Sequence, residues 1–395
     1  MKGWEQRKLK DICQIKGGKR LPLGEDFSEK GYPYIRARDI KGGKIYIQSP
    51  VYVSDQVREK IVKYITNKDD ILITIVGANI GDVGIVPAEL DNASLTENAV
   101  KLTNYIGVHP QYLLNFLNTS YCKEVMQRAS AGAAQGKLGI YKINEIIISL
   151  PPLLIQQKIA AVLSSYDDLI ENNNRRISIL EKMADELYRE WFVRLRFPGH
   201  EKVKIAKGVP EGWEIRKLRD ILELAYGKAM KEETRITGMI PVYGSSGLIG
   251  YHNQYLVLGP GLIVGRKGNV GNIIRVKENF YPIDTTYYVI SSYPLTYLFY
   301  LLHTMNFINN DSAVPGLNRE QAYANEFYFP TLKLINAFEK QIAPILSQKE
   351  ILENQNTNLT IARERLLSRL MSGKIDMENL DIEFSKSIQE EIANG

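Results

Sequence analysis

The residues most able to do chemistry in this chain are basic and hydrogen-bonding side chains in glycine-rich stretches. Residues 1–68 carry 16 Lys and Arg against 8 Asp and Glu, and the stretch 212–280 carries 10 against 6. Lys and Arg bind the phosphates of a polyanion, whereas Arg, Asn, Gln, Ser and Thr hydrogen-bond to base edges. Together with a net charge of +5, this pattern favours binding to nucleic acid.

Candidate contact residues follow from this pattern, because polar residues in loops on a sheet scaffold commonly bind partners. A solvated surface position is the alternative for each of them, and for Asn79 and Asn269 so is simple turn formation. In the first half of the chain the candidates are Lys19, Arg20, Arg36, Arg38, Lys41, Asn79, Asn98, Gln135 and Lys137. In the second half they are Lys228, Arg235, Ser245, Ser246, Arg266, Lys267, Asn269, Thr285, Asn318 and Arg319.

Motifs for catalysis are not evident in the sequence. It contains no Gly-Lys-Ser/Thr phosphate loop, no Pro-Asp dipeptide of the commonest nuclease core and no aromatic-flanked Asn-Pro-Pro or Asp-Pro-Pro motif of amino-methyltransferases. The four histidines lack metal-ligand spacing, and two cysteines cannot form a metal cluster. We therefore expect no catalytic residue and no metal site.

Composition is typical of a globular protein, with 395 residues of which 44% are apolar and 24% charged. This length suffices for two or three domains. The first residues do not resemble a signal peptide, and the longest aliphatic run, Ile71 to Val76, is far too short to span a membrane. We therefore expect a cytoplasmic protein that does not interact with membranes.

Two long helices must position the basic stretches. The first is predicted from Leu153 to about Arg194, with prolines before it and Phe197-Pro198-Gly199 after it. Apolar spacing of seven residues sustained over about five heptads indicates a coiled-coil seam. The rows of this seam are Ile159, Tyr166, Asn173, Leu180 and Leu187, and Leu163, Ile170, Ile177, Ala184 and Trp191.

The second long helix is a copy of the first. Past Pro330 the row Phe338, Ile345, Leu352, Leu359, Leu366 has the same spacing, and a shift of 183 residues places Asn173 on Asn356. The alternative is that each is an amphipathic surface helix of its own domain.

The segments before the two helices are also copies. Gly3-Trp4-Glu5 recurs as Gly212-Trp213-Glu214, and Ala78-Asn79-Ile80-Gly81 recurs as Gly268-Asn269-Val270-Gly271. The ends of the copies agree and the middles diverge, which indicates one task performed on two different targets. Strands are expected at 71–76, 84–86, 100–102 and 146–150, and helices at 112–128 and 295–305.

These framework residues resemble the specificity subunit of type I restriction-modification systems. The resemblance covers the whole chain and rests on Leu150-Pro151-Pro152-Leu153, Gln156-Gln157-Lys158-Ile159-Ala160, Asp168 to Asn173, Arg196 to His200, Pro210 to Trp213 and Leu370 to Asp376. One departure lies after Pro330, where Thr331-Leu332-Lys333-Leu334 replaces the first copy's Pro152-Leu153-Leu154-Ile155.

The resemblance implies an α+β fold with an internal two-fold repeat, in which two mixed α/β target recognition domains are joined by two long antiparallel coiled-coil helices. The first domain would span residues 1–150 and the second domain 199–329. The spacer helices would span 151–198 and 330–375, followed by a C-terminal tail at 376–395.

The resemblance further implies a non-catalytic subunit in which each domain reads half of a split site in double-stranded DNA. Two methylation subunits and restriction subunits would be its partners. S-adenosylmethionine, ATP and Mg would belong to those partners, with no cofactor in this chain. Because the first helix carries more apolar rows than a two-stranded seam needs, we expect partner helices near Leu187 and Trp191.

Two alternatives are weighed against this reading. One is a self-contained DNA methyltransferase or endonuclease with repeated recognition domains, which the missing catalytic motifs disfavour. The other is a coiled-coil scaffold without a nucleic-acid role, which the basic stretches disfavour.

Overall fold

The chain folds into two compact units. A computed structural model describes residues 3–131, 136–206, 208–307 and 316–382. The first unit combines residues 1–172 with 355–395, and the second unit spans 173–354. Each unit therefore contains one domain together with about half of each long helix.

The first unit is built from short strands and helices. Its strands are β1 (Glu5–Lys8), β2 (Gln14–Gly17), β3 (Tyr32–Ile35), β4 (Ile40–Lys41), β5 (Lys44–Ile45), β6 (Tyr52–Val53), β7 (Ile71–Thr74), β8 (Val83–Ile85), β9 (Ser94–Leu95), β10 (Ala99–Thr103) and β11 (Ile147–Leu150). Its short helices are α1 (Leu9–Ile12), α2 (Asp55–Ile61), α3 (Pro110–Leu117), α4 (Ser120–Ser130) and α5 (Ile140–Asn144). The long helix α6 (Leu153–Tyr188) follows and continues as a π-helical turn, Arg189–Val193.

The second unit contains a similar but not identical series of elements. Its strands are β12 (Ile205–Ala206), β13 (Val209–Pro210), β14 (Glu214–Lys217), β15 (Glu223–Tyr226), β16 (Ile240–Gly244), β17 (Gly247–His252), β18 (Gly261–Gly265), β19 (Ile273–Val276), β20 (Tyr281–Pro282), β21 (Thr286–Ile290) and β22 (Glu326–Phe329). Its short helices are α7 (Leu295–Thr304) and α8 (Arg319–Tyr323), and the long helix α9 (Leu332–Met371) begins after β22.

Sheet topology is the same in both domains, which confirms the internal repeat. The four-stranded sheet has the order β2-β10-β7-β8 in the first domain and β15-β21-β18-β19 in the second. The three-stranded sheets β6-β3-β9 and β17-β16-β20 each contain one antiparallel and one parallel pairing. Strand β1 pairs with β11 in the first domain, and β14 pairs with β22 in the second.

The repeated Gly-Trp-Glu segment has a conformational reason. Gly3 and Gly212 have φ angles of +83° and +86°, which residues with a Cβ rarely adopt. Each glycine directly precedes the tryptophan that leads into β1 in the first domain and into β14 in the second. Trp213 is buried and stacks on Phe197, with ring centroids 5.5 Å apart.

The long helices pair antiparallel within each unit. In the first unit the core includes Ile159 and Leu163 of α6 together with Leu367 and Leu370 of α9. The guanidinium of Arg363 binds the Asp167 carboxylate there, with Nε and Oδ1 2.7 Å apart.

In the second unit the core includes Ala184 and Tyr188 of α6 with Phe338 and Ile342 of α9. Lys349 binds Glu181 across the pair, with Nζ and Oε1 2.9 Å apart. Residue numbers rise along one helix while they fall along the other, as an antiparallel coiled coil requires. Both predicted seams are therefore confirmed, and every residue of the two α6 rows is buried or half-buried.

Two details differ from the sequence prediction. The single helix expected at 112–128 is two helices, because Thr119 caps α4 by accepting a hydrogen bond from Cys122 N. The start of the second long helix is fixed at Leu332, where Thr331 Oγ1 accepts a hydrogen bond from Leu334 N. The threonine that replaces Pro152 of the first copy thus supplies a side-chain N-cap at α9.

Candidate nucleic-acid interface

One end of the four-stranded sheet gathers candidates of the first domain. Lys19 lies in the segment that follows β2, and its backbone N–H donates to Leu95 O of β9 over 2.8 Å. Just beyond β7, Ile75 N donates to Asn98 O over 2.8 Å, and Val76 bridges to Lys137. Strand pairing thus brings together basic and amide residues that are far apart in sequence.

Two further segments lie at the same end of this sheet. Asn79 is exposed in the turn between β7 and β8, where its carbonyl closes the turn. Thr74 Oγ1 donates to Ala37 O over 3.4 Å, which places the turn containing Arg38 beside the end of β7. Gln135 lies outside the described residues.

Two predicted contacts, Arg20 and Arg36, are engaged within the domain. Arg20 donates a hydrogen bond to the Glu97 carboxylate over 2.8 Å. Partial burial alone would raise the pKa of Glu97, but the hydrogen bond from Arg20 helps to lower the pKa below its usual value. Arg36 binds both carboxylate oxygens of Asp39 and also donates to Ser49 O over 2.6 Å. Because Arg36 is largely buried and makes these hydrogen bonds, it stabilises the loop that carries the neighbouring basic residues.

Arg38 and Lys41 are exposed basic residues around a surface concavity. The concavity has a volume of about 400 Å³ and is also lined by Tyr46 and Gln48. Tyr46 is 69% exposed, which is unusual for a ring of this size. Exposed aromatic, amide and basic groups on one concave surface suit contact with bases and phosphates.

In the second domain, three candidates form one hydrogen-bonded turn. Ser245 Oγ accepts from Asn269 N, and Ser245 N donates to Thr285 Oγ1, each over 3.4 Å. The Asn272 amide donates to Ser245 O over 2.8 Å. Ser245 is buried, so it shapes the turn, whereas Ser246 is exposed beside it.

The most distinctive feature of the second domain is an arginine pair on a tyrosine ring. The guanidinium carbons of Arg266 and Arg319 each lie 5.1 Å from the centre of the Tyr226 ring. Tyr226 contacts Tyr287, with ring centroids 5.0 Å apart. Burial raises the pKa of Tyr287 to about 12, and its hydroxyl donates to Leu317 O. Arginines over aromatic faces gain cation–π attraction and lose rotational freedom.

The other candidates of the second domain make hydrogen bonds with backbone groups. Lys228 and Lys267 are exposed, and their backbone N–H groups donate to Pro282 O and Thr285 O. Asn318 caps α8, because its side chain accepts from two backbone N–H groups. Arg235 donates to Ile249 O over 2.7 Å and thereby holds β17.

Trp191 is buried, so its side chain does not offer the apolar surface to a partner helix that was expected from the sequence. It is only 7% exposed, and its ring lies 5.9 Å from Phe338 and 6.2 Å from Phe192 in the core of the second unit. Leu187 is half-buried against the same core. The exposed apolar residues of α6 include Leu169, Ile179 and Met183, each about half exposed.

Two grooves occupy equivalent positions in the two domains. The first, of about 590 Å³, lies between α3–α4, β1–β11 and the last turns of α9. The second, of about 580 Å³, lies between α7, β14–β22 and the last turns of α6. Their matching lining residues are Gln6 and Ile215, Phe116 and Leu301, and Thr119 and Thr304.

Within the described part of the chain, no three His, Cys, Asp or Glu side chains gather as metal ligands would. Cys13 and Cys122 are buried free thiols, and burial raises their pKa to about 12 and about 11. No helix of the described residues has the length and apolar character needed to cross a membrane.

Sequence reasoning missed the tyrosines of the second domain. Tyr226, Tyr287 and Tyr323 were not candidates, although they surround two arginines that were. Their local signal was an aromatic residue at a strand end next to a glycine and a lysine, as in Tyr226-Gly227-Lys228. That signal is weak, because the tyrosines meet the arginines only through strand pairing.

Comparison with known proteins identifies the family. The model of the type I restriction modification DNA specificity domain matches residues 1–182 and 210–362, one match for each copy. The MjaIX type I restriction enzyme specificity subunit of Methanocaldococcus jannaschii is 32% identical over 238 residues, which cover 57% of this chain and 53% of that relative. That alignment therefore spans about half of the relative's length.

Longer matches cover nearly the whole chain. The putative MjaX specificity subunit of the same organism is 24% identical over 94% of this chain and 93% of its own length. A crystal structure of the S subunit from M. genitalium superposes with a TM-score of 0.55 at 19% identity, covering 93% of this chain and 96% of that one. This likeness supports the fold. With both copies matched by the family model, the chain belongs to the DNA specificity subunits of type I restriction-modification systems.

Proposed function

We propose that this chain selects a split, asymmetric site on double-stranded DNA for a type I restriction-modification complex. Each domain reads one half of the site. The observation that carries the proposal is a repeated backbone whose equivalent sheet ends present different side chains. A shared framework with different contact residues suits two readers of different sequences.

Backbone hydrogen bonds define which positions of the two domains are equivalent. In the first domain Ile75 N donates to Asn98 O, and Leu138 N donates to Ile75 O. In the second, Arg266 N donates to Thr285 O, and Leu317 N donates to Arg266 O. Ile75 and Arg266 thus hold the same place in the two folds, yet one is apolar and the other cationic. The two half-sites should therefore differ, and the full site should not be palindromic.

The long helices set the distance between the half-sites in this proposal. They are continuous over 36 and 40 residues, or about 54 and 60 Å at 1.5 Å per residue. Their cores merge with those of the domains, as Ile159 and Leu163 do in the first unit. Helices whose apolar residues are part of the domain cores suit the role of a spacer between two readers.

Partner subunits bind this chain at repeated surfaces. The two equivalent grooves have nearly equal volumes and matching linings, which suits two copies of one partner. We assign them to two methylation subunits, and the exposed Ile147 and Ile215 to the contact in the first and second groove. Restriction subunits join the assembled complex.

Chemistry is assigned to the partners. The methylation and restriction subunits supply the catalytic residues, together with S-adenosylmethionine, ATP and Mg. This chain contributes recognition, spacing and assembly.

Selection from a library of random duplexes tests the proposal. The chain is assembled with its methylation subunit, and bound duplexes are enriched and sequenced. The expected result is two short, different motifs at a constant separation. Enrichment of one continuous motif, or of none, would refute it.

A further inference from the structure

The arginine pair of the second domain is built for a target more specific than a phosphate. Arg266 is fixed by a 2.9 Å hydrogen bond from Nη1 to Asp284 O and by the rings of Tyr226 and Tyr287. Arg319 lies over Tyr226 and Tyr323, at the start of a helix capped by Asn318. A guanidinium held this firmly presents its N–H groups in a fixed direction, which reading of a base edge requires.

Among the residues that the structure describes, no carboxylate forms an ion pair with Arg266 or Arg319. Both arginines are half-buried beside the half-exposed Tyr226, so they remain accessible. A guanidinium has five N–H donors, and Arg266 uses them for Asp284 O and for a side-chain hydrogen bond with Tyr287. The remaining donors are available to a ligand rich in acceptors.

The same positions in the first domain carry no charge. Strand pairing matches Gly17 with Val100 there, and Tyr226 with Tyr287 in the second domain. The same backbone hydrogen bonds match Ile75 with Arg266. Ile140 and Arg319 are each the first residue of the short helix before the last strand. In the first domain, Gly17, Ile75, Val100 and Ile140 thus occupy the positions of Tyr226, Arg266, Tyr287 and Arg319. The two domains therefore differ in chemistry at this shared place.

We infer that Arg266 and Arg319, oriented by Tyr226, read guanine in the half-site of the second domain. This rests on the proposed function. Guanine offers two acceptors, O6 and N7, on its major-groove edge, and an arginine fork fits both. Adenine offers one acceptor and one donor at this edge, and its donor would face an N–H donor of the arginine. The first domain, lacking this cluster, reads its half-site with other residues.

The experiment compares base preferences of conservative variants in the same duplex selection, with the chain assembled with its methylation subunit. Arg266→Lys and Arg319→Lys keep the positive charge but remove the two-pronged fork. Tyr226→Phe keeps the ring, whereas Tyr226→Ala removes the surface that orients both arginines. Arg275→Lys is the matched control, because Arg275 is exposed on β19 of the same sheet, outside the cluster.

The wild-type protein should require guanine in its second motif, and each Arg→Lys change should relax guanine at one position. Discrimination there should fall by about 5- to 150-fold, the usual value of a bidentate base contact. Tyr226→Ala should relax guanine at both positions, whereas Tyr226→Phe, Arg275→Lys, the first motif and the gap should stay unchanged.

Three results would overturn the inference. The first is a second motif without guanine. The second is a guanine preference that survives both Arg→Lys changes while affinity falls for all sequences alike, as phosphate contacts would produce. The third is the absence of any split motif for the wild-type protein, which would overturn the proposed function as well.

Discussion

Deleting one heptad from each long helix should shorten the gap between the half-sites. Residues 176–182 and 348–354 both lie in the second unit, where Lys349 binds Glu181. They face each other across the helix pair, so their joint removal takes out a complete level of the coiled coil. Both partners of that ion pair are lost together, whereas Lys277 loses the carboxylates of Glu350 and Glu353 and remains as an exposed cation. Because seven residues are one repeat, the seam stays in phase.

The size of the effect follows from helix and DNA geometry. Seven residues at 1.5 Å each shorten the helix pair by about 10.5 Å. Successive base pairs rise about 3.4 Å, so the preferred gap should shrink by about three base pairs. Three base pairs also rotate one half-site by nearly a third of a turn, given about 10 base pairs per turn. The complex must absorb this rotation, so methylation of the best substrate should also become slower.

The assay measures methylation of duplexes whose half-sites are constant while the gap varies by single base pairs. Glu181→Ala with Lys349→Ala is the control of unchanged length, and it should keep the parental gap. This exposed pair contributes little to stability, on the order of 1 kcal/mol or less. If the shortened protein folds, assembles and still prefers the parental gap, the helices do not determine the spacing.

Three other variants probe the remaining contacts. Trp191→Glu places a carboxylate among Phe192 and Phe338, so thermal denaturation should show a loss of roughly 3–5 kcal/mol; a stable variant would show that the ring is not in the core. Native mass spectrometry should show one methylation subunit in the complex of Ile147→Glu and none in the complex of the double variant Ile147→Glu with Ile215→Glu. If the double variant retains two subunits, the grooves are not part of the interface. Lys158 is buried and donates to Met377 O, Glu378 O and Leu380 O over 2.8–3.1 Å. Lys158→Met should therefore cost about 3 kcal/mol and speed proteolysis after residue 376, and unchanged cleavage would argue against this anchor.

The long helices and the repeat could be predicted from the sequence because their signals are local and periodic. Seven-residue spacing identified α6 and α9, and glycine recurred where a positive φ is needed, at Gly3 and Gly212. The break between α3 and α4 was also visible in principle, since Thr119 is a good N-cap. Apolar residues on both sides of the polar run Asn118-Thr119-Ser120 favoured a single helix instead.

Tertiary relationships could not be predicted in this way. The heptad pattern shows that Trp191 faces a seam, but it does not show that Phe192 and Phe338 already cover it. Similarly, Tyr226 and Arg266 are 40 positions apart and meet only because β15 and β18 both pair with β21. Residue type alone suggested contact for Arg36, whereas its ion pair with Asp39 assigns it to the loop's own structure.

The most direct test of the account is the methylome that this chain directs. The chain is expressed with its methylation subunit in a host that has no methyltransferase of its own, and modified positions are read by methylation-aware sequencing. The account predicts one split motif with two different halves, a fixed gap and guanine in one half. A palindromic or continuous motif, or two halves at variable separation, would contradict it.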